Sequence, residues 1–202
     1  MLNKFNVKND FKKYIEKFLI ENSKHNLISK NDEKVLFEKH IYDSLSLKLF
    51  LDKYSINSAN ILDIGCGGGF PCIPLAVEYP DFKITAIDSI RKKIDSVNNI
   101  KNELKLNNIT FVCTRAENFS GKYNIVVSRA VTKLSKLVEY AFPLLEENGF
   151  LVAYKSKKVQ EEIYEAKNIL DKKNAEVIDI IEYKLPLEET FERNLVVIRY
   201  KK

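Results

Sequence analysis

The sequence predicts an α/β fold: an open, mostly parallel sheet of seven strands with an antiparallel last pair, preceded by a small N-terminal helical cap. Three observations carry that prediction. From Ile61 onward, short β-rich runs alternate with helical periods, which is the pattern of a parallel sheet covered on both faces. Four of the six glycines fall between Asn60 and Pro71, where an apolar run meets a Pro-led helix. The last two apolar runs are separated by a polar loop too short for a helical crossover, so they should pair antiparallel.

Residues 1–57 read as helical. Phe11, Tyr14, Ile15, Phe18 and Leu19 recur at the spacing of one helix face. A polar break is expected from Asn22 to Lys24. A second helix should start near Asn31 or Asp32, either of which can cap it, and a third should cover roughly Tyr42 to Tyr54. No flexible linker follows, so the cap is expected to pack on the sheet domain, 58–202. In that domain the expected strands are Ile61–Ile64, Phe82–Asp88, Ile109–Cys113, Asn124–Ser128, Phe150–Tyr154, Val177–Leu185 and Leu195–Tyr200. Helices are expected at Ile90–Leu106, around Leu134, Leu137, Val138 and Ala141, and around Val159, Ile163, Ala166 and Leu170.

Composition sets bounds. A chain of 202 residues with 45% hydrophobic content is an ordinary single globular domain with room for a short appendage. A net charge of +5 is compatible with a polyanionic partner without requiring one. The three cysteines, Cys66, Cys72 and Cys113, have no metal-ligand spacing, which points to a reducing, cytoplasmic setting with no metal site. Met1 to Asp10 lacks the apolar core of a signal peptide, and no run of about 18 apolar residues exists, so no membrane partner is expected.

The glycine stretch narrows the ligand. Gly65, Gly67 and Gly69 alternate after the buried run Ile61–Ile64, where backbone must turn through positive φ or approach a ligand closely. A dinucleotide fingerprint wants glycine where Phe70 stands, and the Gly-Lys-Ser/Thr of a P-loop is absent. Asp63-x-Gly65-x-Gly67-x-Gly69 resembles instead the first motif of S-adenosylmethionine (AdoMet)-dependent methyltransferases. Asp88 ends the second strand about 20 residues on, the spacing that sets a carboxylate beside a ribose diol. The same residue could simply cap the following helix.

Ligands of open α/β sheets bind beyond the carboxyl ends of the strands. That rim carries Asp88, Arg91 and Lys92 after the second strand and Arg115, Ala116 and Glu117 after the third. Ser128, Arg129 and Ala130 follow the fourth strand, and Lys155 and Lys157 the fifth. The cations would hold phosphates in a salt-dependent manner, or they are the ordinary surface of a lysine-rich chain. Arg129 is one of five arginines and directly follows a buried strand at the centre of this edge, a place suited to phosphate or purine recognition. Glu117 could meet an adenine amino group or serve a helix dipole. The fourth strand is not followed by the Asn/Asp-Pro-Pro-Tyr/Phe of amino-group methyltransferases. No Pro-Cys pair of the cytosine C5 type is present, and Cys113 reads as core.

With these residues in hand, the chain resembles the bacterial ribosomal small-subunit guanine-N7 methyltransferase family, RsmG or GidB. The resemblance runs through Lys39-His40-Ile41-Tyr42-Asp43-Ser44-Leu45, Asp63 to Ala76, Asp88-Ser89, Arg115-Ala116-Glu117, Ser128-Arg129-Ala130-Val131 and Asn194 to Arg199, in order along nearly the whole chain. It departs at Gly68, where the family often has alanine, at Lys155-Ser156, where it often has Lys-Gly, and in lacking a long basic tail. The resemblance implies a Rossmann-like AdoMet methyltransferase sheet over 58–202. It implies AdoMet as cofactor, held by Gly65, Phe70, Ala116, Glu117 and Arg129, to which the glycine motif and the strand-end spacing add Gly67 and Asp88, and transfer to N7 of one guanine of 16S rRNA, free or in the 30S subunit. N7 carries no proton, so no catalytic base or nucleophile is expected. Arg91, Lys92, Lys155 and Lys157 would hold RNA phosphates. A monomer without DNA partners is the default, and His40 is either functional or a satisfied core histidine. The competing classes are a methyltransferase for another substrate, a non-catalytic RNA-binding protein with a relic pocket, and an NAD-dependent oxidoreductase, which Phe70 disfavours.

Overall fold

The computed structural model describes residues 7–187 and 191–201. The first six residues of the expected cap, residues 188–190 of the loop before the last strand, and Lys202 lie outside the described residues.

Seven strands form one sheet in the order β3-β2-β1-β4-β5-β7-β6. They are β1 (Asn60–Ile64), β2 (Lys83–Asp88), β3 (Ile109–Cys113), β4 (Tyr123–Arg129), β5 (Leu145–Ser156), β6 (Ala175–Lys184) and β7 (Glu192–Tyr200). The first five are parallel, and β7 inserts antiparallel between β5 and β6. The reversal of strand order between the parallel neighbours β1 and β4 opens a crevice at their carboxyl ends, where open α/β sheets bind ligands. β5 begins at Leu145 rather than Phe150, because its first residues run on from a single 3₁₀ turn, Phe142–Leu144, and pair with Tyr123 across a register shift.

Side-chain alternation divides the core. Ile61 packs toward one face and Leu62 and Ile64 toward the other. The first face is covered by α5 (Cys72–Glu78), α6 (Arg91–Leu104) and the N-terminal helices, and the second by α7 (Leu134–Ala141) and α8 (Val159–Lys172). Cys113 is half-buried at the end of β3 rather than in the core, because it lies on the edge strand of the sheet.

The N-terminal region departs most from expectation. Helix α1 (Lys12–His25) runs straight through the expected polar break at Asn22–Lys24. Asn22 is fully buried and works as a hinge pin: its carbonyl accepts from Ile28 N at 2.8 Å and its amide donates to Glu33 at 2.6 Å. Helix α2 (Lys30–Glu33) starts before Asn31, with the Ser29 hydroxyl capping Asp32 N. A π-helical segment, Phe37–Tyr42, then leads into α3 (Asp43–Leu45) and α4 (Leu47–Lys53), so the expected single helix from Tyr42 is two. These helices lie on the sheet domain through an aromatic cluster, with Tyr14 and Phe18 at 6.2 and 5.1 Å from the Phe70 ring. The Tyr154 hydroxyl donates to Ser44 O at 2.6 Å and the Tyr183 hydroxyl to Asp43 at 2.6 Å.

Candidate functional site

The loop after β1 is bolted to the end of β2. Gly65 N and Cys66 N donate to Ile87 O at 2.8 and 3.0 Å, and Gly67 N donates to Asp88 Oδ2 at 2.9 Å. Gly65 has φ +75°, and a Cβ there would sit 2.3 Å from Val131 Cγ2. Only glycine allows both the turn and the approach of the loop after β4. A Cβ on Gly67, at φ +53°, would meet open space, with no atom nearer than 4.0 Å. That bare backbone borders a cavity of about 640 Å³.

All seven residues proposed from the sequence for the cofactor line this one cavity: Gly65, Gly67, Phe70, Asp88, Ala116, Glu117 and Arg129. Asp88 accepts from Gly67 N through one oxygen and from Ile90 N, at 2.9 Å, through the other. Each oxygen keeps a lone pair. Ile90, not Asp88, is the residue that flanks α6. Glu117 lies exposed in a single 3₁₀ turn, Ala116–Asn118; its own backbone N–H and the Tyr140 hydroxyl hold its carboxyl below the usual range. Tyr140 and Ile90 also line the cavity and had no functional signature in the sequence. Among the described residues, no cluster of three or more His, Cys, Asp or Glu is placed to hold a metal ion.

Arg129 does not face open solvent. One guanidinium nitrogen donates to Asp43 at 3.0 Å and to Lys39 O at 3.3 Å, and another donates to His40 Nδ1 at 2.8 Å. Its guanidinium carbon lies 5.0 Å from the centroid of the Phe70 ring, in cation–π range. The His40 ring packs on Phe70 at 5.0 Å. Burial, reinforced by Arg129, pushes the His40 imidazole down to about 4, so it is neutral with its proton on Nε2. The next residue, Ala130, takes φ +57°, an uncommon conformation for a residue with a Cβ. Beneath the loop, burial pushes the fully enclosed Asp63 carboxyl up to about 7.

The proposed phosphate-binding residues divide. Arg91 and Lys92, at the start of α6, and Lys157, after β5, are exposed. Lys155 is buried, donating to Glu162 Oε2 at 2.6 Å and to Thr132 O at 2.9 Å. It lines a second cavity of about 510 Å³ that shares His40, Arg129, Ala130 and Val131 with the first.

Comparison with known proteins agrees with this architecture. The ribosomal RNA small subunit methyltransferase G of Staphylococcus saprophyticus is 37% identical over 193 residues, covering 93% of this chain and 80% of that protein. The Bacillus subtilis protein of the same name is 36% identical over 195 residues, covering 94% and 80%. Among solved structures, magnesium protoporphyrin IX methyltransferase from Synechocystis PCC 6803, with bound SAM, aligns with a TM-score of 0.67 at 18% identity, over 96% of this chain and all of that one. M. jannaschii TYW2 in complex with AdoMet aligns with a TM-score of 0.61 at 18% identity, over 79% and 77%. At these identities the two structures establish the fold. The family model for GidB, rRNA small subunit methyltransferase G, matches residues 7–196, and with the similarity to its named members it establishes that the chain belongs to this family of methyltransferases.

Proposed function

We propose that the chain transfers the methyl group of AdoMet to N7 of one guanine in 16S rRNA, acting as a monomer in the cytoplasm. The observation that carries this reading is the convergence of seven residues, from four loops of a family-matched methyltransferase fold, on one cavity. The donor set fits the cofactor. The bare backbone at Gly67 leaves room for it, the spare lone pairs of Asp88 suit a ribose diol, and Glu117 at the rim suits an adenine amino group. Bound AdoMet supplies an electrophilic methyl group on a sulfonium.

The residues of the chain then have a positioning task. N7 presents a free lone pair, so nothing need remove a proton. Holding N7, methyl carbon and sulfur in line supplies the greater part of the rate gain. Arg129, backed by the Phe70 ring, stands with His40, Ala130 and Val131 where the first cavity adjoins the second. No helix among the described residues is long and apolar enough to cross a membrane.

The test is methyl transfer from labelled AdoMet to unmodified small-subunit RNA, free and assembled into 30S particles, followed by cleavage mapping at N7-methylguanine. Label at a single N7-methylguanine is expected. Label on protein or small molecules alone, or no binding of AdoMet by calorimetry, would overturn the reading.

A further inference from the structure

The second cavity holds a partly buried ion pair that the proposed cofactor contacts do not use. Glu162, in the first turn of α8, directs one oxygen, Oε2, at both Lys155 Nζ (2.6 Å) and Leu134 N (3.0 Å). No described protein group bonds to its other oxygen, Oε1. The carboxylate lines the same cavity as His40, Arg129, Ala130 and Val131, the four residues shared with the first cavity. Lys155, whose side chain is 9% exposed, pairs with this carboxylate and pins Thr132 O, fixing the loop that follows β4.

We propose that this cavity receives the target guanine, and that Glu162 Oε1 recognises it by accepting hydrogen bonds from N1–H and the N2 amino group. The assignment rests on the methyltransferase reading above and names the specificity determinant of the same site. Three arguments carry it.

The first is chemical selectivity. Guanine alone among the four bases presents two adjacent donors, N1–H and N2–H. Adenine and cytosine place a ring acceptor beside the amino group, and uracil flanks its single N–H with two carbonyls. A carboxylate oxygen with two free lone pairs matches guanine and repels the others. The second is placement. The N1/N2 edge lies at the opposite end of the purine from N7. A guanine anchored by that edge on Glu162 keeps N7 at its far end, free of the anchor, in a cavity that shares His40, Arg129, Ala130 and Val131 with the cofactor cavity.

The third is charge. In the transfer the N7 lone pair forms the new bond to the methyl carbon while the carbon–sulfur pair stays on sulfur. The positive charge passes from sulfonium to purine and no proton moves. A carboxylate on the far edge binds the purine more strongly as that charge develops, which is a transition-state contribution. Most other cations lining the cavity have carboxylates of their own, Arg129 with Asp43, Lys39 with Asp32 and Lys133 with Glu165, and His40 is neutral. Lys155 shares the Glu162 charge, and Arg193 bonds to a backbone carbonyl and packs on Phe191.

The experiment uses the full chain and small-subunit RNA carrying guanosine or inosine at the modified position. Inosine keeps N7, O6 and N1–H and lacks only the N2 amino group. Wild type should methylate guanosine faster than inosine by about ten- to a hundredfold, the worth of one charge-assisted hydrogen bond. Glu162→Ala and the conservative Glu162→Gln should slow guanosine transfer and bring the guanosine-to-inosine ratio close to one, with AdoMet binding by calorimetry unchanged. Should Glu162→Ala fail to fold, Glu162→Gln carries the comparison. A wild-type ratio near one, or a ratio that survives in the variants, would overturn the assignment while leaving the methyltransferase reading intact. Failure of wild type to methylate the guanosine RNA would instead overturn that reading, and this assignment with it.

Discussion

Replacing Arg129 by methionine tests the wall between the two cavities directly. Methionine keeps the length and apolar volume of the stem and removes the guanidinium. Three polar partners lose their donor: Asp43 at 3.0 Å, Lys39 O at 3.3 Å and His40 Nδ1 at 2.8 Å. Asp43, with its side chain 7% exposed, would keep only the Tyr183 hydroxyl at 2.6 Å. Stranding one partner of a buried pair costs about 3–5 kcal/mol. The Tyr183 bond and the 15% exposure of the Arg129 side chain place this case at the lower end, about 3 kcal/mol. For a chain of this size that corresponds to a fall of about 6–12 °C in melting temperature. Urea unfolding measures the loss, and Asp43→Asn in the Arg129→Met background should recover about 1–2 kcal/mol by removing the stranded charge. An Arg129→Met protein within about 0.5 kcal/mol of wild type would refute the buried-pair reasoning.

Four further outcomes are expected. The folded pKa of Asp63 is raised from 3.8 to about 7, so the native state holds an extra proton between these values and stability is lost as pH rises through them, on the order of 4 kcal/mol in full; Asp63→Asn should remove that slope in urea titrations from pH 5 to 8, and parallel curves would contradict it. His40 has the opposite sign: its folded pKa, about 4, lies below the usual 6.5, so stability is lost as pH falls through that window, and His40→Asn should flatten the acid limb of the stability curve. Gly65→Ala forces a Cβ onto Val131 at positive φ and should destabilise by about 1–2 kcal/mol or more from the backbone alone; Val131→Ala should recover the steric part only, as read by thermal melts with and without AdoMet. Charge reversal at exposed Arg91 or Lys157 should weaken RNA binding and lower its salt slope by about one each, whereas Lys155→Ala should leave the slope unchanged, since that ammonium is buried against Glu162.

The elements that were legible in the sequence are those whose own residues carry the signal. The strands announce themselves as β-branched runs, and the alternating glycines mark a turn in which Gly65 and Gly69 combine positive φ with no room for a Cβ. The short loop after β6 fixed the antiparallel β6–β7 pair, which β7 then completes by also pairing with β5. Signals that depend on partners were not legible. Asn22 looks like a helix breaker until Ile28 N and Glu33 are seen closing on it. Lys155 looks like one more rim lysine, because its burial is set by Glu162 and Thr132, which come from other elements. Glu162 itself sits among the polar residues of an amphipathic helix, and only the second cavity singles it out. The π-helical segment has no periodicity of its own to detect, although it carries Lys39 and His40 to Arg129.

That segment explains why the N-terminal helices belong to the chemistry as well as to the packing. The wall between the cavities joins His40 of the cap to Arg129 of the sheet, and Asp43, lining the second cavity, bonds to Arg129 as well; these residues, some ninety positions apart, meet through hydrogen bonds. Asp43 is in turn held by Tyr183 of β6, and Ser44 by Tyr154 of β5. Under the proposed function the Arg129 guanidinium borders a cofactor carrying positive charge and needs its own charge matched, and among the described residues no carboxylate of the sheet bonds to it. The cap provides Asp43 for that purpose and a neutral imidazole beside it. Detaching the cap would therefore free the Arg129 cation at the edge of the proposed cofactor cavity, besides exposing Tyr14, Phe18 and Phe70 to water. On this argument the cap and the sheet should unfold in one transition, because the polar contacts between them are the same ones that shape the site.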